Sequence, residues 1–360
     1  MNCYDDNNHS IFNGRKLRLE IFGASHSEKI GVYIDGLDGQ KVNFNLLQKF
    51  LERRRAKATA YSTKRFESDK IIVESGYDNG FCGRFKAVIE NKAQKSGDYL
   101  STVKKPRPSH ADFVAYEKYG DKFDYRGGGK FSGRMTAPMC IAGGICKQIL
   151  EEKGIKIDAY ISQIGSAKGK SYKDLPADIK NLSFKDTFFP LIDESVKEDM
   201  EKQIELAKDN LDSVGGIIEC VITGVPVGAG EYMFDSIESV ISSLAFAVPA
   251  VKGIEFGLGF DFVKSYGSEA NDPLYYDGET VKTKTNNNGG INGGLANGMP
   301  ITFRVVIKPT PSIGKEQDTV DLVNRENTKI KIEGRHDACI VPRAVPVIEA
   351  ISAIAIYDCL

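Results

Sequence analysis

The chain has 360 residues and a mass of 39.6 kDa, which is long enough for one elaborate domain or two fused ones. Its 48 basic and 49 acidic residues nearly cancel, so the net charge of −1 argues against a nucleic-acid-binding or membrane-surface protein. A hydrophobic content of 41% excludes an intrinsically disordered chain, and 36 glycines exceed the usual share of about 7%, which indicates closely approaching backbone.

The N-terminal part of the chain predicts an extension, several strands and one helix. Residues 1–13 are polar and lack the apolar run of a signal peptide, so we predict a flexible N-terminal extension that includes His9. Alternating apolar residues over 17–21 predict a strand that runs into the turn at 23–27. Apolar spacing over 44–55 predicts an amphipathic helix that ends in three arginines. Two short strands and a proline-marked loop follow, at 70–74, 85–89 and 92–109.

The rest of the chain combines glycine-rich loops with helices. Residues 126–134 hold too many glycines for regular structure and lead into a helix over 135–150. Residues 152–195 are rich in lysine and aspartate, and we predict a surface insertion there. Capping boxes at Ser195–Glu198 and Asp235–Glu238 predict the starts of two further helices. The remaining predicted elements are strands at 217–223 and 301–308, a glycine-rich loop at 286–298 and a terminal helix at 345–360.

Strands and helices are interleaved without the regular period of a βα barrel, which predicts an α+β fold. We expect residues 14–360 to form a single domain. The apolar stretch at 345–360 contains Pro346, Glu349 and Asp358, so it predicts a buried helix rather than a membrane span. Seven scattered cysteines without a C-x-x-C pair indicate neither a disulfide framework nor a zinc site, and they fit a reducing cytoplasm.

Three known motifs do not fit the glycine-rich segments. A P-loop would require serine or threonine where Phe131 stands, and a dinucleotide-binding fingerprint would require glycine where Ser132 stands. A nucleophile elbow around Ser25 would require glycine where Ser27 stands. The sequence therefore disfavours these three types of site.

Each candidate polar group has an ordinary structural interpretation. His26 can be a hydrogen-bonded histidine at a strand end, and His110 can pair with Asp112. The arginines at 53–55 can form a solvated helix end, and residues 334–337 can form a turn before the last helix. Taken together, however, arginines, backbone amides of glycine-rich loops and two histidines indicate a site for a small polyanion.

Six segments in one collinear order carry a more specific signal. They are FGASHS (22–27), RPSHAD (107–112), YRGGGKFSGR (125–134), FDSIESVISSLAFAVPAVKGIEFGLGF (234–260), NNNGGINGGLANGMPITFRVVIKPTPS (286–312) and GRHDACIVPRAVPVIEA (334–350). Over about 20–360 the chain closely resembles the chorismate synthase family. The resemblance implies a β-α-β sandwich, in which antiparallel sheets flank a layer of helices, and assembly as a homotetramer.

The resemblance implies a carbon–oxygen lyase that catalyses the last step of the shikimate pathway. Its substrate, 5-enolpyruvylshikimate-3-phosphate, would lose phosphate and a ring hydrogen in an anti 1,4-elimination that yields chorismate. The family requires reduced FMN although there is no net redox change. Members differ in whether NADPH reduces the flavin on the enzyme or an external flavin reductase supplies it.

The resemblance also assigns roles residue by residue. His26 aligns with the histidine that protonates the departing phosphate, His110 with the histidine that protonates or stabilises reduced flavin, and Asp337 with a carboxylate that relays a proton near the flavin. The residues implied to bind the substrate are Ser25, Arg54, Arg107, Ser132, Arg134 and Arg335. Those implied to bind FMN are Lys130, Phe131, Ser132, Pro249, Ala250, Gly293, Lys308, Pro309, Thr310, Pro311, Ser312 and Arg335.

The chain departs from the family pattern at five positions. Ala24, Ser27 and Ser109 stand where members commonly have glutamate, glycine and glycine. Met135 replaces a glutamate, and Ala60 falls where an additional basic residue is expected. Two hypotheses follow: an active enzyme of this family, and a flavin- or anion-binding protein whose catalysis has decayed.

Overall fold

The computed structural model describes residues 9–55, 69–91, 104–120, 124–175, 184, 187–332 and 337–360. Within these ranges the α-helices are α1 (Phe44–Arg54), α2 (Asp112–Tyr119), α3 (Thr136–Glu152), α4 (Lys197–Asp209), α5 (Ile237–Phe246), α6 (Gly267–Ala270) and α7 (Val341–Cys359). The strands are β1 (Ser10–Asn13), β2 (Arg18–Phe22), β3 (Lys29–Asp35), β4 (Ile72–Tyr77), β5 (Phe81–Glu90), β6 (Lys156–Ile164), β7 (Ala167–Lys168), β8 (Gly216–Thr223), β9 (Val251–Phe256), β10 (Leu274–Asp277), β11 (Thr280–Thr283), β12 (Ile291–Asn292), β13 (Leu295–Ala296), β14 (Ile301–Ile307), β15 (Gln317–Asp321) and β16 (Glu326–Ile330).

Two five-stranded sheets form the framework. The first sheet has the strand order β1-β2-β3-β5-β4, and the second has the order β7-β6-β8-β14-β9. Neighbouring strands in both sheets pair antiparallel. Three two-stranded ribbons, β10–β11, β12–β13 and β15–β16, stand apart from these sheets.

Four helices, α1, α3, α5 and α7, lie between the two sheets. Helix α3 contacts β2, β3 and β5 of the first sheet, α7 contacts β6 and β8 of the second, and α3 and α7 pack on each other. Gly143 of α3 lies so close to α7 that a β-carbon at this position would overlap the backbone of Ala350. One continuous hydrophobic core includes residues of both sheets and of these helices. The predicted α+β sandwich is therefore confirmed.

Helix α7 holds two buried carboxylates. Glu349 accepts two hydrogen bonds from Arg53, at 2.8 and 2.7 Å, and one from Lys147 at 2.5 Å. Asp358 accepts the backbone N–H groups of residues 15–17 at 2.9, 2.8 and 2.9 Å. These partners offset the cost of burying the two charges. Within the described ranges, no helix is both long enough and apolar enough to cross a membrane.

The prediction of a flexible extension over residues 1–13 is wrong for its last part. Residues 10–13 form β1, which pairs with β2, and His9 contacts the carboxylate of Glu20. The strand lies at the edge of the sheet, where polar residues are well tolerated because one side faces solvent. Residues 1–8 lie outside the described residues.

The prediction of a surface insertion over 152–195 is also wrong for its first part. Strand β6 is almost entirely buried and pairs along its length with β8. Its residues Ile157, Ala159 and Ile161 join the central core, whereas Tyr160 packs on the opposite face of the sheet. Both faces of the strand are therefore covered. The charged residues on either side of this short buried segment led to the wrong prediction.

Two helix starts use caps other than the predicted ones. The side chain of Asp193, not Ser195, accepts the backbone N–H of Ser195 and begins the turn that leads into α4. The hydroxyl of Ser236, not Asp235, accepts the backbone N–H of Ser239 at the start of α5. Aspartate and serine are both common caps, so neighbouring candidates compete for the same position.

Candidate active site

A three-glycine turn lies directly against the two predicted catalytic histidines. Gly127, Gly128 and Gly129 have φ angles of 58°, 83° and 55°, which glycine adopts without strain. A β-carbon on Gly127 would lie 2.7 Å from Nε2 of His26, and one on Gly128 would lie 3.3 Å from Nε2 of His110. Glycine is needed here because the backbone leaves no room for side chains beside the two imidazoles.

The loop after β2 presents Ser25 and His26 to this turn. The backbone N–H of Ser25 donates to the carbonyl of Gly129 at 3.1 Å. The hydroxyl oxygen of Ser25 would lie 2.7 Å from a β-carbon on Gly127. His26 is only 3% exposed, so its imidazole is largely shielded from bulk water.

His110 belongs to a compact charged group with Asp112, Arg107 and Ser312. Nδ1 of His110 donates to Asp112 at 2.7 Å, while Nε and Nη2 of Arg107 donate to the same carboxylate at 2.6 and 2.8 Å. Nη1 of Arg107 donates to the hydroxyl of Ser312 at 3.0 Å. Because an ionised carboxylate only accepts hydrogen bonds, Asp112 fixes the proton on Nδ1. Nε2, the atom that faces the glycine turn, is then the ring nitrogen available for proton transfer.

The charge of Asp112 is stabilised by these contacts. Burial alone would raise the pKa of its carboxyl, but hydrogen bonds from Arg107 and His110 outweigh burial and hold the pKa well below its usual value. The sequence resemblance places Arg107 on the substrate. In the structure Arg107 donates to Asp112 and Ser312, and so helps to orient His110. Its role toward the substrate stays a prediction.

Arg134 is joined to the His26 loop through Asn91. Nε of Arg134 donates to Oδ1 of Asn91 at 3.1 Å, and Nη1 contacts the carboxylate of Asp69. The amide nitrogen of Asn91 donates to the carbonyl of Ser27 at 2.7 Å. The hydroxyl of Ser132 caps the short turn before Arg134 by accepting its backbone N–H at 3.2 Å. Asn91 therefore fixes the spacing between Arg134 and the loop that carries His26.

Two adjacent arginines at the end of α1 have opposite environments. Arg53 forms a bidentate pair with Glu349 in the core. Arg54 is 3% exposed, and its Nη2 lies 3.6 Å from Asp69, too far for a good hydrogen bond. Among the described residues, neither Nε nor Nη2 of Arg54 has a hydrogen-bond partner.

Burial lowers the pKa of the Arg54 guanidinium, and the nearby positive charges of Arg343 and Arg134 lower it further, whereas Asp69 opposes them. An arginine remains charged in spite of such a shift. A buried guanidinium with unused donors is strongly stabilised by an incoming anion, because the anion supplies both the missing charge and the missing acceptors.

Arg343 holds Asp337 close to the end of α1, where Arg54 lies. Nη1 of Arg343 donates to the Asp337 carboxylate at 2.5 Å, and its Nε donates to the backbone carbonyl of Arg54 at 3.2 Å. The hydroxyl of Thr310 donates to the backbone carbonyl of Asp337 at 3.2 Å. One arginine thus links the predicted proton-relay carboxylate to the end of α1.

The segment 308–312 lies beside both His110 and Asp337. Lys308 donates from Nζ to the carbonyl of Ser109 at 2.6 Å, and Ser312 accepts from Arg107 at 3.0 Å. Burial lowers the pKa of the Lys308 amine, and the nearby Lys252 adds to this effect. The segment therefore contributes hydroxyls and a cation to the region of the two predicted proton-transfer groups. Its remaining predicted members are Pro309, Thr310 and Pro311.

The other residues assigned to FMN occupy separate turns. Ala250, after Pro249, has a φ of 73° and accepts the backbone N–H of Lys308 at 2.9 Å. Gly293 lies in the turn between β12 and β13, which contacts the start of α5. A β-carbon on Gly293 would meet nothing within 4 Å, so its backbone faces open space. The structure thus joins the 249–250 turn to segment 308–312 directly.

Lys130 and Phe131 follow the glycine turn. Nζ of Lys130 is buried without a hydrogen-bond partner among the described residues, and burial lowers the pKa of this amine. Phe131 is 39% exposed. A buried ammonium without an acceptor and an exposed aromatic ring fit a planar anionic ligand such as a flavin nucleotide.

The departures from the family pattern have local explanations. The hydroxyl of Ser27 accepts from the backbone of Ala24 at 2.9 Å and donates to the carbonyl of Lys29 at 2.6 Å, which closes the turn before β3. Ser109 has a φ of 58°, a conformation that glycine adopts more readily. Met135 packs against the hydrophobic core. Arg335 and Ala60 lie outside the described residues.

Sequence reasoning missed three residues of this site: Asp69, Asn91 and Arg343. Arg343 lies within the 334–350 segment and was available as an arginine close to Asp337. Asp69 and Asn91 flank the first sheet and have no motif of their own. Only the fold brings them to Arg134, which is 65 and 43 residues away in the sequence.

Replacing Asp112 with asparagine should lower stability at neutral pH by about 2 kcal/mol, the size of a hydrogen bond to a charged group. Because the folded-state pKa of Asp112 is depressed, its contribution is present above the unfolded pKa near 3.8 and is lost as the pH falls through the lower folded value. The variant should therefore differ most from wild type at pH 7 and converge with it under acid conditions. Denaturant unfolding from pH 7 to pH 2 measures this difference.

The matched control for that series is Asp212→Asn, which removes a partly exposed carboxylate paired with Lys315 at 2.8 Å. Exposed pairs contribute little, so this variant should stay within about 0.5 kcal/mol of wild type at every pH. Equal losses in both variants would contradict the role assigned to Asp112.

The fold and the site together define an α+β sandwich enzyme whose buried arginines and histidines suit a small anionic substrate. A family model described as chorismate synthase matches residues 17–360. The chain belongs to the chorismate synthase family. The predicted lyase function in the shikimate pathway is confirmed by this match together with the relatives described next.

Curated relatives and a solved structure agree with this membership. The chain is 46% identical over 350 residues to chorismate synthase of Pyrococcus abyssi, covering 96% of each chain. It is 42% identical over 350 residues to chorismate synthase of Dehalococcoides mccartyi strain BAV1, covering 96% of this chain and 95% of the relative. A crystal structure of chorismate synthase has the same fold, with a TM-score of 0.70, 24% identity and coverage of 96% of this chain and 92% of that chain.

Proposed function

We propose that this site catalyses the anti 1,4-elimination of phosphate from 5-enolpyruvylshikimate-3-phosphate to give chorismate. The observation that carries the proposal is the environment of Arg54. Its guanidinium is buried, shares the single carboxylate of Asp69 with Arg134, and keeps two nitrogen atoms without hydrogen-bond partners among the described residues. Two arginines on one carboxylate leave an excess positive charge, which a phosphorylated dicarboxylate would neutralise.

Substrate binding uses the cations and donors around the glycine turn. Arg54 and Arg134 bind the anionic groups as planar forks, which match carboxylate and phosphate oxygens. Ser25 and Ser132 add hydroxyl donors beside them. Arg335 is assigned to the same set by the family resemblance. Because Arg54 and Arg134 are buried, their interaction with an anion is weakly screened by solvent.

Two histidines and one carboxylate move the protons. His26 donates a proton to the departing phosphate, and its burial in the glycine turn keeps water from this step. His110 presents Nε2 while Asp112 holds its other nitrogen protonated. Asp337, oriented by Arg343, relays the proton that corresponds to the lost ring hydrogen. The substrate loses phosphate and one hydrogen, so no net oxidation takes place.

Reduced FMN is the proposed cofactor, and when bound it would supply an electron transiently to assist loss of phosphate. Lys130, Phe131, Ser132 and the 308–312 segment would hold it, together with Pro249, Ala250, Gly293 and Arg335. The buried Lys130 amine, which has no hydrogen-bond partner among the described residues, supports this assignment because it suits an anionic cofactor. Lys308 would offset the negative charge of a reduced flavin ring.

We also propose a homotetramer in the cytoplasm, with flavin reduced either by NADPH on the enzyme or by an external flavin reductase. Large exposed apolar side chains between residues 234 and 266 support assembly, since such patches commonly become interfaces. They include Phe234, Phe260, Val263 and Tyr266, which are 91%, 79%, 86% and 81% exposed. The mass of the purified protein in solution, from sedimentation equilibrium, tests the tetramer.

The experiment for the activity is anaerobic incubation of the purified protein with substrate and chemically reduced FMN, with chorismate followed by absorbance. A second incubation contains oxidised FMN and NADPH. Chorismate with reduced FMN supports the proposal, and chorismate in the second incubation adds an intrinsic reductase. Bound FMN without chorismate in either incubation would overturn it and favour a binding protein whose catalysis has decayed.

A further inference from the structure

Asp69 is a buried carboxylate that contacts two of the substrate arginines at once. Its side chain is 1% exposed, pairs with Nη1 of Arg134, and lies 3.6 Å from Nη2 of Arg54. Without it, two buried guanidinium groups would face each other with no counter-charge from this side. Their mutual repulsion would drive them apart, because charges are weakly screened in a protein interior.

The backbone at Asp69 is held in an unusual conformation. Its φ angle is 42°, in the left-handed region that residues other than glycine adopt rarely. Gln48 of α1 fixes this conformation from both sides: its Nε2 donates to the carbonyl of Asp69 at 3.1 Å, and its Oε1 accepts the backbone N–H of Ile71 at 3.1 Å. Such strained conformations persist only where the surrounding structure enforces them.

Glu349 provides a comparison, because it is a buried carboxylate that pairs with two cations in the core, away from the candidate site. Glu349 also serves two cations, but its hydrogen bonds with Arg53 and Lys147 are short, at 2.5 to 2.8 Å, and satisfy both oxygens. The pair between Arg54 and Asp69 is longer and leaves guanidinium donors unused among the described residues. Arg54, held beside Asp69, therefore keeps guanidinium donors that an additional anionic partner can use.

We propose that Asp69 is a positioning residue that sets the spacing of Arg54 and Arg134 for the anionic groups of the substrate. This inference rests on the proposed function for the identity of the substrate. Asp69 itself does not touch the substrate. It holds the two guanidinium groups closer than their repulsion would allow, so the substrate does not have to bring them together on binding.

The test is Asp69→Asn, which keeps the shape of the side chain and removes its charge. Calorimetric titration should show substrate binding weakened by about 10-fold or more, while FMN affinity stays within about twofold, because the change affects only the preorganised arginines. The matched control is Glu20→Gln, since Glu20 also serves two arginines, Arg18 and Arg84, on the first sheet. The control should leave both affinities unchanged.

Unchanged or tighter substrate binding in Asp69→Asn would overturn the inference, since Asp69 would then be only a competitor for the arginines. An equal loss in Glu20→Gln would overturn it as well. If Asp69→Asn does not fold, Gln48→Ala provides the test, because it frees the backbone at residue 69 and keeps every charge. It should weaken substrate binding by about 3-fold to 10-fold, and no change would reject the inference.

The proposed function and this inference fail in different ways. Calorimetric binding does not require turnover, so a wild-type protein that binds substrate without forming chorismate would reject the activity alone. Titration with inorganic phosphate repeats the comparison with a simpler anion. A wild-type protein that binds neither substrate nor inorganic phosphate would overturn both proposals.

Discussion

His110→Ala should lower chorismate formation by about 10²-fold to 10⁴-fold, the contribution typical of a positioned acid–base group. Asp112, itself held by Arg107, orients this imidazole, and its Nε2 lies against the glycine turn beside His26. Steady-state turnover with reduced FMN under anaerobic conditions measures the loss. The variant should keep its oligomeric mass and lose little thermal stability, because Arg107 still pairs with Asp112 and His110 lies outside the main core.

His9→Ala is the control for this experiment. His9 contacts Glu20 at the edge of the first sheet, next to the ring of Phe22, and it has no contact with the glycine turn. This variant should retain full turnover. Full activity in His110→Ala would reject the role assigned to His110, and comparable losses in both variants would show that the effect comes from general destabilisation.

Arg54→Ala should raise the KM for the substrate by about 10-fold to 100-fold, which corresponds to losing one or two hydrogen bonds to a charged group. FMN affinity should change little, since Arg54 is proposed to bind the substrate and not the cofactor. Arg54→Lys should recover only part of the loss, because it restores the charge but not the planar fork. Titration of substrate and FMN separately distinguishes the two effects.

Arg304→Ala serves as the matched arginine control. Arg304 forms a partly buried ion pair with Glu255 at 2.8 Å, between β14 and β9 of the second sheet. Its removal should reduce stability modestly without affecting the KM. An unchanged KM in Arg54→Ala would contradict the placement of the substrate anion at this arginine.

Much of the fold follows from local patterns in the sequence. The predicted helix over 44–55 corresponds to α1, and the strands predicted at 217–223 and 301–308 correspond to β8 and β14. Strand β6 was missed because it lies in a stretch rich in lysine and aspartate, and this composition predicted a surface insertion. Strand β1 was missed because edge strands are short and polar.

The candidate site was predictable only where a motif marked it. The histidines and glycines of the 22–27, 107–112 and 125–134 segments are adjacent in the structure, and no propensity rule forecasts that adjacency. The roles of Asp69 and Asn91 depend on contacts across dozens of residues, which a single sequence does not show. Arg107 illustrates a different limit, because residue type alone does not show that its side chain also pairs with Asp112 beside His110.

The central position of α7 has a consequence for how the protein is made. This helix contacts α1, α3, α5 and two strands of the second sheet, yet it follows all of them in the sequence. A nascent chain therefore exposes the inner face of the second sheet and the facing sides of α1, α3 and α5 until α7 leaves the ribosome, and this part of the core forms late through contacts between distant segments. Such chains fold slowly and are prone to aggregate at this stage. We expect folding in the cell to depend on chaperones that cover apolar surface during synthesis.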